Sequence, residues 1–375
     1  MNRTYIDVHV LQTVPPSNLN RDDTGSPKTA FFGVVRRARV SSQAWKRAAR
    51  KAFADQLDPS SLGVRSRRVV ELIADEIRRV EASVNEAASL AMAEDVLGKV
   101  GVKLKPARKK EAPQESGFLL FLSRRQIENL AAAAISAGER GSYPDDVRKL
   151  ADREHSVDIA LFGRMVADQT DLNVDAACQV AHALSVHAVE DESDYFTAVD
   201  DHKAADDEED AGAAMIGTIE FNSSTLYRYA TVDLSALSRN LGDPDAVRRA
   251  VEVFLDGFVT SMPTGKQNTF ANRTLPDAVL VQVRDDQPVS YVGAFEEAIV
   301  ARDGRVKEAV TRLASHAGEL ATAYGLQPVA TFVAGPAAAG LDVLGQRRPW
   351  PEVVQAVGEL VHSRLGAAGD DPAAA

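Results

Sequence analysis

The chain opens on a period-two pattern. Between Thr4 and Thr13, Ile6, Val8 and Val10 fall on one face and Asp7, His9 and Leu11 on the other, the alternation of a β-strand. Residues 14–28 lose both periods and are dense in Pro, Gly and Asn, which predicts a long loop, and loops of that length in compact domains are usually functional or disordered. Ser41 and Ser42 are N-cap candidates for a helix reaching about Phe53. Ala44, Trp45, Ala48, Ala49, Ala52 and Phe53 recur there at helical spacing and form its buried stripe. The opposite face carries Gln43, Lys46, Arg47, Arg50 and Lys51, and with Arg36, Arg37 and Arg39 just upstream it predicts a continuous basic surface.

From Val64 to about Val189 the periods are mostly helical, with segments near 65–97, 124–137, 145–151, 157–167 and 174–189. Ala214–Phe221, a turn at Asn222-Ser223-Ser224 and Thr225–Asp233 then read as a β-hairpin. Asp243-Pro244 starts a helix to about Val259, since proline suits the first helical position, and Ala278–Val283 is an apolar strand. A helix near 294–322, a strand at Pro328–Val333 and a helix at 351–365 follow, and the Ala/Asp/Gly-rich tail from Gly366 reads as disordered. With the helical block set aside, the order is strand, helix, strand, strand, helix, strand. That is the split βαβ arrangement of ferredoxin-like folds and RNA-recognition motifs, so the fold class expected is α+β with a helical insertion.

Composition narrows the class. The 375 residues are 45% hydrophobic and 26% charged, with no apolar run near the length of a membrane span, so a soluble globular protein is expected. The first residues lack the basic start and apolar stretch of a secretory signal, which points to the cytoplasm. The single cysteine, Cys178, has no internal disulfide partner and reads as a small buried helix residue. His182 and His187, five apart, would diverge on a helix and are read as structural. The net charge of −11 argues against a nucleic-acid partner until its distribution is followed. Residues 1–51 hold ten Lys or Arg against three Asp or Glu, a net of +7, whereas residues 191–210 hold ten acids against Lys203 alone, a net of −9.

Candidate chemistry is sparse. Phe221, Tyr227 and Tyr229 alternate as stacking aromatics would, but no Lys/Arg-Gly-Phe-type run accompanies them, and a core role is the default. Lys99–Lys110 is a basic stretch of weak period and reads as a solvated loop. Asp22 and Asp23 beside Arg21 could be imagined as metal ligands for phosphodiester cleavage; no third ligand is near in sequence, so a turn or an ion pair is preferred. No phosphate-binding Walker loop, nucleophile elbow, zinc-protease or dinucleotide motif is present. The polar loop Met262–Arg273 contains Gly265, Lys266 and Gln267, residues that suit close approach to a sugar–phosphate backbone. In Phe162-Gly163-Arg164-Met165 the methionine by itself reads as core filler.

Several long motifs occur in collinear order: Ile6–Leu11 with Pro16–Asp23, Phe32–Gln43 with Lys46-Arg47, Ala160–Met165, Asp194–Asp201, Gly217–Phe221 with Tyr227-Arg228-Tyr229, and Gly265–Asn268. In these the chain resembles the CasC (Cse-four, Cas-seven) family, the backbone subunits of the type I-E CRISPR Cascade complex. The resemblance implies a modified RRM (ferredoxin-like) palm, an inserted helical fingers domain and a β-hairpin thumb. The corresponding boundaries are 1–57 for the first part of the palm, 58–190 for the fingers, 191–220 for the acidic thumb region, 221–365 for the rest of the palm and 366–375 for a disordered tail. It further implies copies polymerising along a crRNA, other Cascade subunits as partners, target DNA met through the guide, no cofactor or metal, and no enzymatic activity of its own. By position, Asn20, Arg21 and Lys28 would contact crRNA, as would Arg36, Arg37 and Ser41. Gln43, Lys46, Arg47 and Arg50 would do so from the helix, and Lys266 and Gln267 from the polar loop. Met165 matches a methionine that packs against a displaced base. Val34 and Val35 stand where the family commonly carries a glycine and often a basic residue. The competing reading is a metal-dependent ribonuclease of the type III backbone kind, using Asp22 or Asp23.

Overall fold

The computed structural model describes residues 3–109, 112–166, 170–198, 215–301 and 303–369. The chain begins with β1 (Tyr5–Ser17), followed by a hairpin of β2 (Thr29–Phe32) and β3 (Val35–Val40) that period alone does not predict. Gly33 and Val34, at φ +57° and +59°, make its two-residue turn, a geometry open to two consecutive positive-φ residues. Helix α1 (Ser42–Phe53) starts as expected, with the Ser41 hydroxyl accepting from the Ala44 amide. Next come β4 (Gly63–Ser66), α2 (Val69–Val80), α3 (Glu86–Val100), the short pair β5 (Leu104–Lys105) and β6 (Glu115–Ser116), β7 (Leu120–Ser123), α4 (Arg124–Arg140) and α5 (Val157–Phe162). The chain continues through β8 (Cys178–Val180), β9 (Ala183–Ser185), β10 (Glu192–Ala198), β11 (Met215–Asp233), α6 (Leu234–Leu241), α7 (Pro244–Thr260) and α8 (Gln267–Phe270). It closes with β12 (Ala278–Arg284), α9 (Arg305–Tyr324), β13 (Ala330–Ala334), β14 (Gln346–Arg347) and α10 (Trp350–Gly369).

The large sheet runs β14-β13-β12-β1-β11-β9-β3-β2, with β8 and β10 also paired to β11. All of these pairings are antiparallel except β13 with β14. Both faces are covered. Ile6, Val8 and Val10 join Trp45, Ala49 and Phe53 of α1 and Phe254 and Phe258 of α7 in one core, while Leu11, Tyr227, Tyr229 and Leu280 lie with Leu313 of α9 in another. A third core, of α2, α3, α4 and their loops, has its buried residues between Val69 and Leu172, with Val64 packed against it. From Val157 onward the chain also contributes to the first core, through Ala160, Leu161, Ala177 and Ala183.

Three expectations are corrected. Residues 174–189 form no helix: β8 and β9 pair with β11, because their small residues suit a pleated surface beside a long open strand as well as they suit a helix. Cys178 is buried, as expected, but in a strand. The hairpin expected around Asn222-Ser223-Ser224 is instead one continuous strand, since Asn222 pairs with Ser17 and Ser224 with Val14, so β1 holds the polar triplet extended. The hairpin partner of Met215–Phe221 is β10, in register from Glu192 opposite Phe221 to Ala198 opposite Met215. Residues 199–214, which carry most of the acidic stretch and part of the expected thumb, lie outside the described residues. The tail expected to be disordered from Gly366 is helical to Gly369, and 370–375 lie outside the described residues. Among the described residues no helix is long and apolar enough to cross a membrane.

Candidate nucleic-acid interface

Helix α1 is the spine of the site. Trp45, Ala48, Ala49 and Phe53 are buried, and the Trp45 ring covers the Arg228 guanidinium at 3.7 Å, which holds the helix against β11. That anchoring turns Gln43, Lys46, Arg47 and Arg50 outward. Lys46 Nζ lies 5.7 Å from the Phe162 ring and the Arg50 guanidinium 5.2 Å from the Phe121 ring, so aromatic faces orient the two cations, and the Asp158 carboxyl attracts Arg50 without forming a direct ion pair. None of Lys46, Arg47, Arg50 and Lys51 makes an ion pair with a described residue. Partial burial lowers the Arg50 pKa from its ordinary value.

A groove flanks each side of this ridge. The first, about 940 Å³, lies between α1, the loop around residues 19–28 and the loop 261–273. The second, about 850 Å³, lies between α1 and the segment Phe162–Ala176, with Phe121 and Arg65 on its wall. Gln43 and Arg47 line both.

The first groove owes its shape to two tied loops. Lys28 N–H donates to the Asn20 carbonyl at 2.9 Å, and the Asn20 side-chain oxygen accepts from the Ser41 amide at 2.9 Å, which fixes the loop to the start of α1. Asp22 Oδ1 accepts from the Thr24 amide and hydroxyl and from the Ser26 amide, a side-chain-closed turn. These bonds, chiefly the Thr24 hydroxyl, hold the exposed Asp22 carboxyl below its usual range. The second loop packs onto the first at Gly265, where a Cβ would stand 2.2 Å from the Leu19 carbonyl oxygen. Sequence alone could not show that contact.

The predicted residues therefore separate into groups. Arg21, Lys28, Gln43, Arg47, Lys266 and Gln267 line the first groove, joined by Asn20 and Ser41, whose polar atoms position the loop and cap the helix. Lys46, Arg50 and Met165 line the second, and Met165 is 84% exposed rather than core filler. Arg36 is half exposed and 4.0 Å from Asp191, away from both grooves. Arg37 is a correction. It is fully buried and donates to the carbonyls of Phe32, Ser185, Phe295 and Glu296, so it ties the hairpin to the sheet and is shielded from any phosphate at the surface. Val34, where the resembled family commonly has glycine, holds a glycine-like φ of +59° at the exposed hairpin tip.

Tyr227 and Tyr229 are core residues, their hydroxyls bonded to His9 and Asp7 beneath α9, and burial raises both phenol pKa values. No group of three or more His, Cys, Asp or Glu among the described residues is placed to hold a metal ion. Sequence reasoning missed Arg65, one of three arginines in Arg65-Ser66-Arg67-Arg68 that nothing local tells apart, and Asn272, one polar residue among many in its loop.

The chain matches the model of CT1975-like proteins over residues 6–352. It belongs to the CT1975-like family. This CT1975-like protein is similar to a chain of a solved "CRISPR RNA-guided surveillance complex, pre-nicking", at TM-score 0.86 and 35% identity, covering 95% of this chain and 100% of that one. It is also similar to a chain of a second solved structure, a "CRISPR RNA-guided surveillance complex", at TM-score 0.75 and 31% identity, with 95% and 99% covered. No curated protein matches it. The CT1975-like assignment agrees with the resemblance drawn from the sequence motifs.

Proposed function

We propose that this protein is a crRNA-binding backbone subunit of a CRISPR Cascade complex, of type I-E. The observation that carries the reading is the ridge of cations on α1, none in an ion pair with a described residue, between two grooves, in a chain similar over almost its whole length to a chain of an RNA-guided surveillance complex. Phosphate contacts of this kind are independent of sequence, so guide pairing would supply target specificity. The strand order β12-β1-β11 with β8 and β9 beyond, and α1 and α7 together on one face, supports a modified RRM palm. Helix α9 occupies the face where RNA-recognition motifs stack bases, which favours α1 and its flanking loops as the RNA path. In this reading residues 58–190 serve as fingers and 191–220 as a thumb region, copies polymerise along the guide in the cytoplasm with other Cascade subunits, and target DNA meets the protein through the guide. The protein acts as scaffold rather than enzyme, and Asp22 and Asp23 shape their loop.

The test is Lys46→Ala combined with Arg50→Ala, with single-stranded RNA binding followed against salt. Affinity should fall to a similar degree for every sequence, and the slope of log K against log salt should flatten by about 1.4, the release expected for two phosphates. Loss confined to particular sequences, or an unchanged slope, would remove the scaffold reading. Regularly spaced, Mg²⁺-dependent cuts in complementary RNA that disappear in Asp23→Ala would establish the ribonuclease instead.

A further inference from the structure

Asn272 lies on the wall of the first groove, 3% exposed. Its side-chain Nδ2 is shielded from solvent and has no hydrogen-bond partner, and neither end of the carboxamide bonds to any described residue. Buried amides are nearly always paired, so an unpaired one beside a ligand groove is a place where a ligand completes the bonding. Thr274, two residues on, is fully engaged. Thr274 N–H meets Met262 Sδ at 3.1 Å, the Thr274 hydroxyl donates to the Thr13 carbonyl at 2.8 Å, and Gln12 Nε2 donates to the Thr274 carbonyl at 3.0 Å. The loop is therefore pinned immediately beyond a side chain left without a partner among the described residues.

The backbone carries a second signal. Lys266 and Ala271, at φ +51° and +46°, are two of the four non-glycine residues with positive φ among the described residues, and Ala271 directly precedes Asn272. Such strain persists where surrounding structure enforces it, commonly at binding sites.

We propose that Asn272 reads the sugar of the bound strand, its carboxamide pairing with a ribose 2′-hydroxyl, so that the first groove prefers RNA to DNA. This rests on the reading of the groove as an RNA interface. The chemistry favours a hydroxyl over a phosphate. A phosphate only accepts hydrogen bonds, and Lys28, Arg47, Lys51, Lys266 and Arg273 around the same groove already offer charged donors. The amide is neutral and both donates and accepts, as a 2′-hydroxyl does.

Fluorescence anisotropy of the full chain with single-stranded RNA and with DNA of the same sequence tests this. Asn272→Ala should weaken RNA binding about fivefold, the value of one hydrogen bond, and leave DNA binding and both salt slopes unchanged. Asn272→Leu, an apolar near-isostere, should behave alike and melt no lower than wild type, because it removes an unpaired amide. Equal losses for RNA and DNA would make Asn272 a phosphate contact and overturn the proposal. Unchanged binding to both, or failure of both variants to fold, would make it a structural residue with the same consequence. A wild-type chain that binds neither strand would instead overturn the RNA-interface reading itself.

Discussion

Replacing Arg37 by alanine separates the roles that sequence position and tertiary structure give it. The guanidinium is 0% exposed and donates to Phe32 O at 3.0 Å, Ser185 O at 3.0 Å, Phe295 O at 2.9 Å and Glu296 O at 3.0 Å. Truncation leaves these carbonyls short of a donor and opens a cavity where the hairpin β2–β3 meets the sheet. A buried group left unpaired costs about 1–3 kcal/mol, but the wild type also bears the cost of desolvating a charge, so the net loss is about 4 kcal/mol rather than the sum of four bonds. With an unfolding entropy of about 2.1 cal/mol/K per residue, a chain of 375 residues would then melt roughly 5 °C lower if it unfolds as one unit. Circular dichroism melts would measure this, with Arg36→Ala as the control. Arg36 is half exposed and its ion pair with Asp191 spans 4.0 Å, a kind of contact worth less than about 1 kcal/mol. The salt slope of RNA binding should be the same for Arg37→Ala as for wild type. An Arg37→Ala protein that melts like wild type and loses salt dependence would refute the structural role and restore the phosphate contact.

Gly265→Ala places a Cβ 2.2 Å from the Leu19 carbonyl oxygen, so the two groove loops must part; RNA affinity should fall on the order of tenfold while the far-ultraviolet spectrum is unchanged. Full affinity would show that the loops bind independently. Acid should destabilise the fold through its buried histidines. Burial pushes His9 down to about 3 and His155 and His187 down to about 4, so each is neutral in the folded chain and takes up a proton on unfolding below its ordinary value of 6.5. The unfolded state then binds more protons, and stability falls as pH drops from about 6.5 toward 4, by up to about 2 kcal/mol per histidine between pH 7 and 5. Asp7, raised by burial to about 6, works in the opposite direction and offsets about 1 kcal/mol of that over the same interval. Urea midpoints at the two pH values check the sign; a midpoint that rises at pH 5 would contradict it.

Much of the candidate site is legible where the signal is local. Ser41 followed by apolar residues at helical spacing predicts α1 and its cap, and the same spacing places Lys46, Arg47 and Arg50 on the solvent side, as found. Asp22 as a turn residue is equally local, since its partners Thr24 and Ser26 are two and four residues on. The reading fails where a local pattern admits two outcomes. The small residues of 174–189 fit helix or strand, and β11 was available to make them strands. The Asn-Ser-Ser triplet resembles a turn, and the continuation of β1 beside it keeps it extended.

By itself the sequence determined the first strand, where the basic helix lies and which of its faces is charged, because those properties follow from side-chain period and capping over a few residues. Tertiary structure alone decided that Arg37 is held by four carbonyls while Arg47 makes no ion pair with a described residue, that Gly265 meets Leu19, that Arg65 and Met165 reach the second groove, and that Asn272 is buried without a partner among the described residues. The physical reason is that a charge or an amide has no fixed role until its surroundings settle whether water, protein or a ligand completes its hydrogen bonds, and here those surroundings come from strands and loops far apart in the chain.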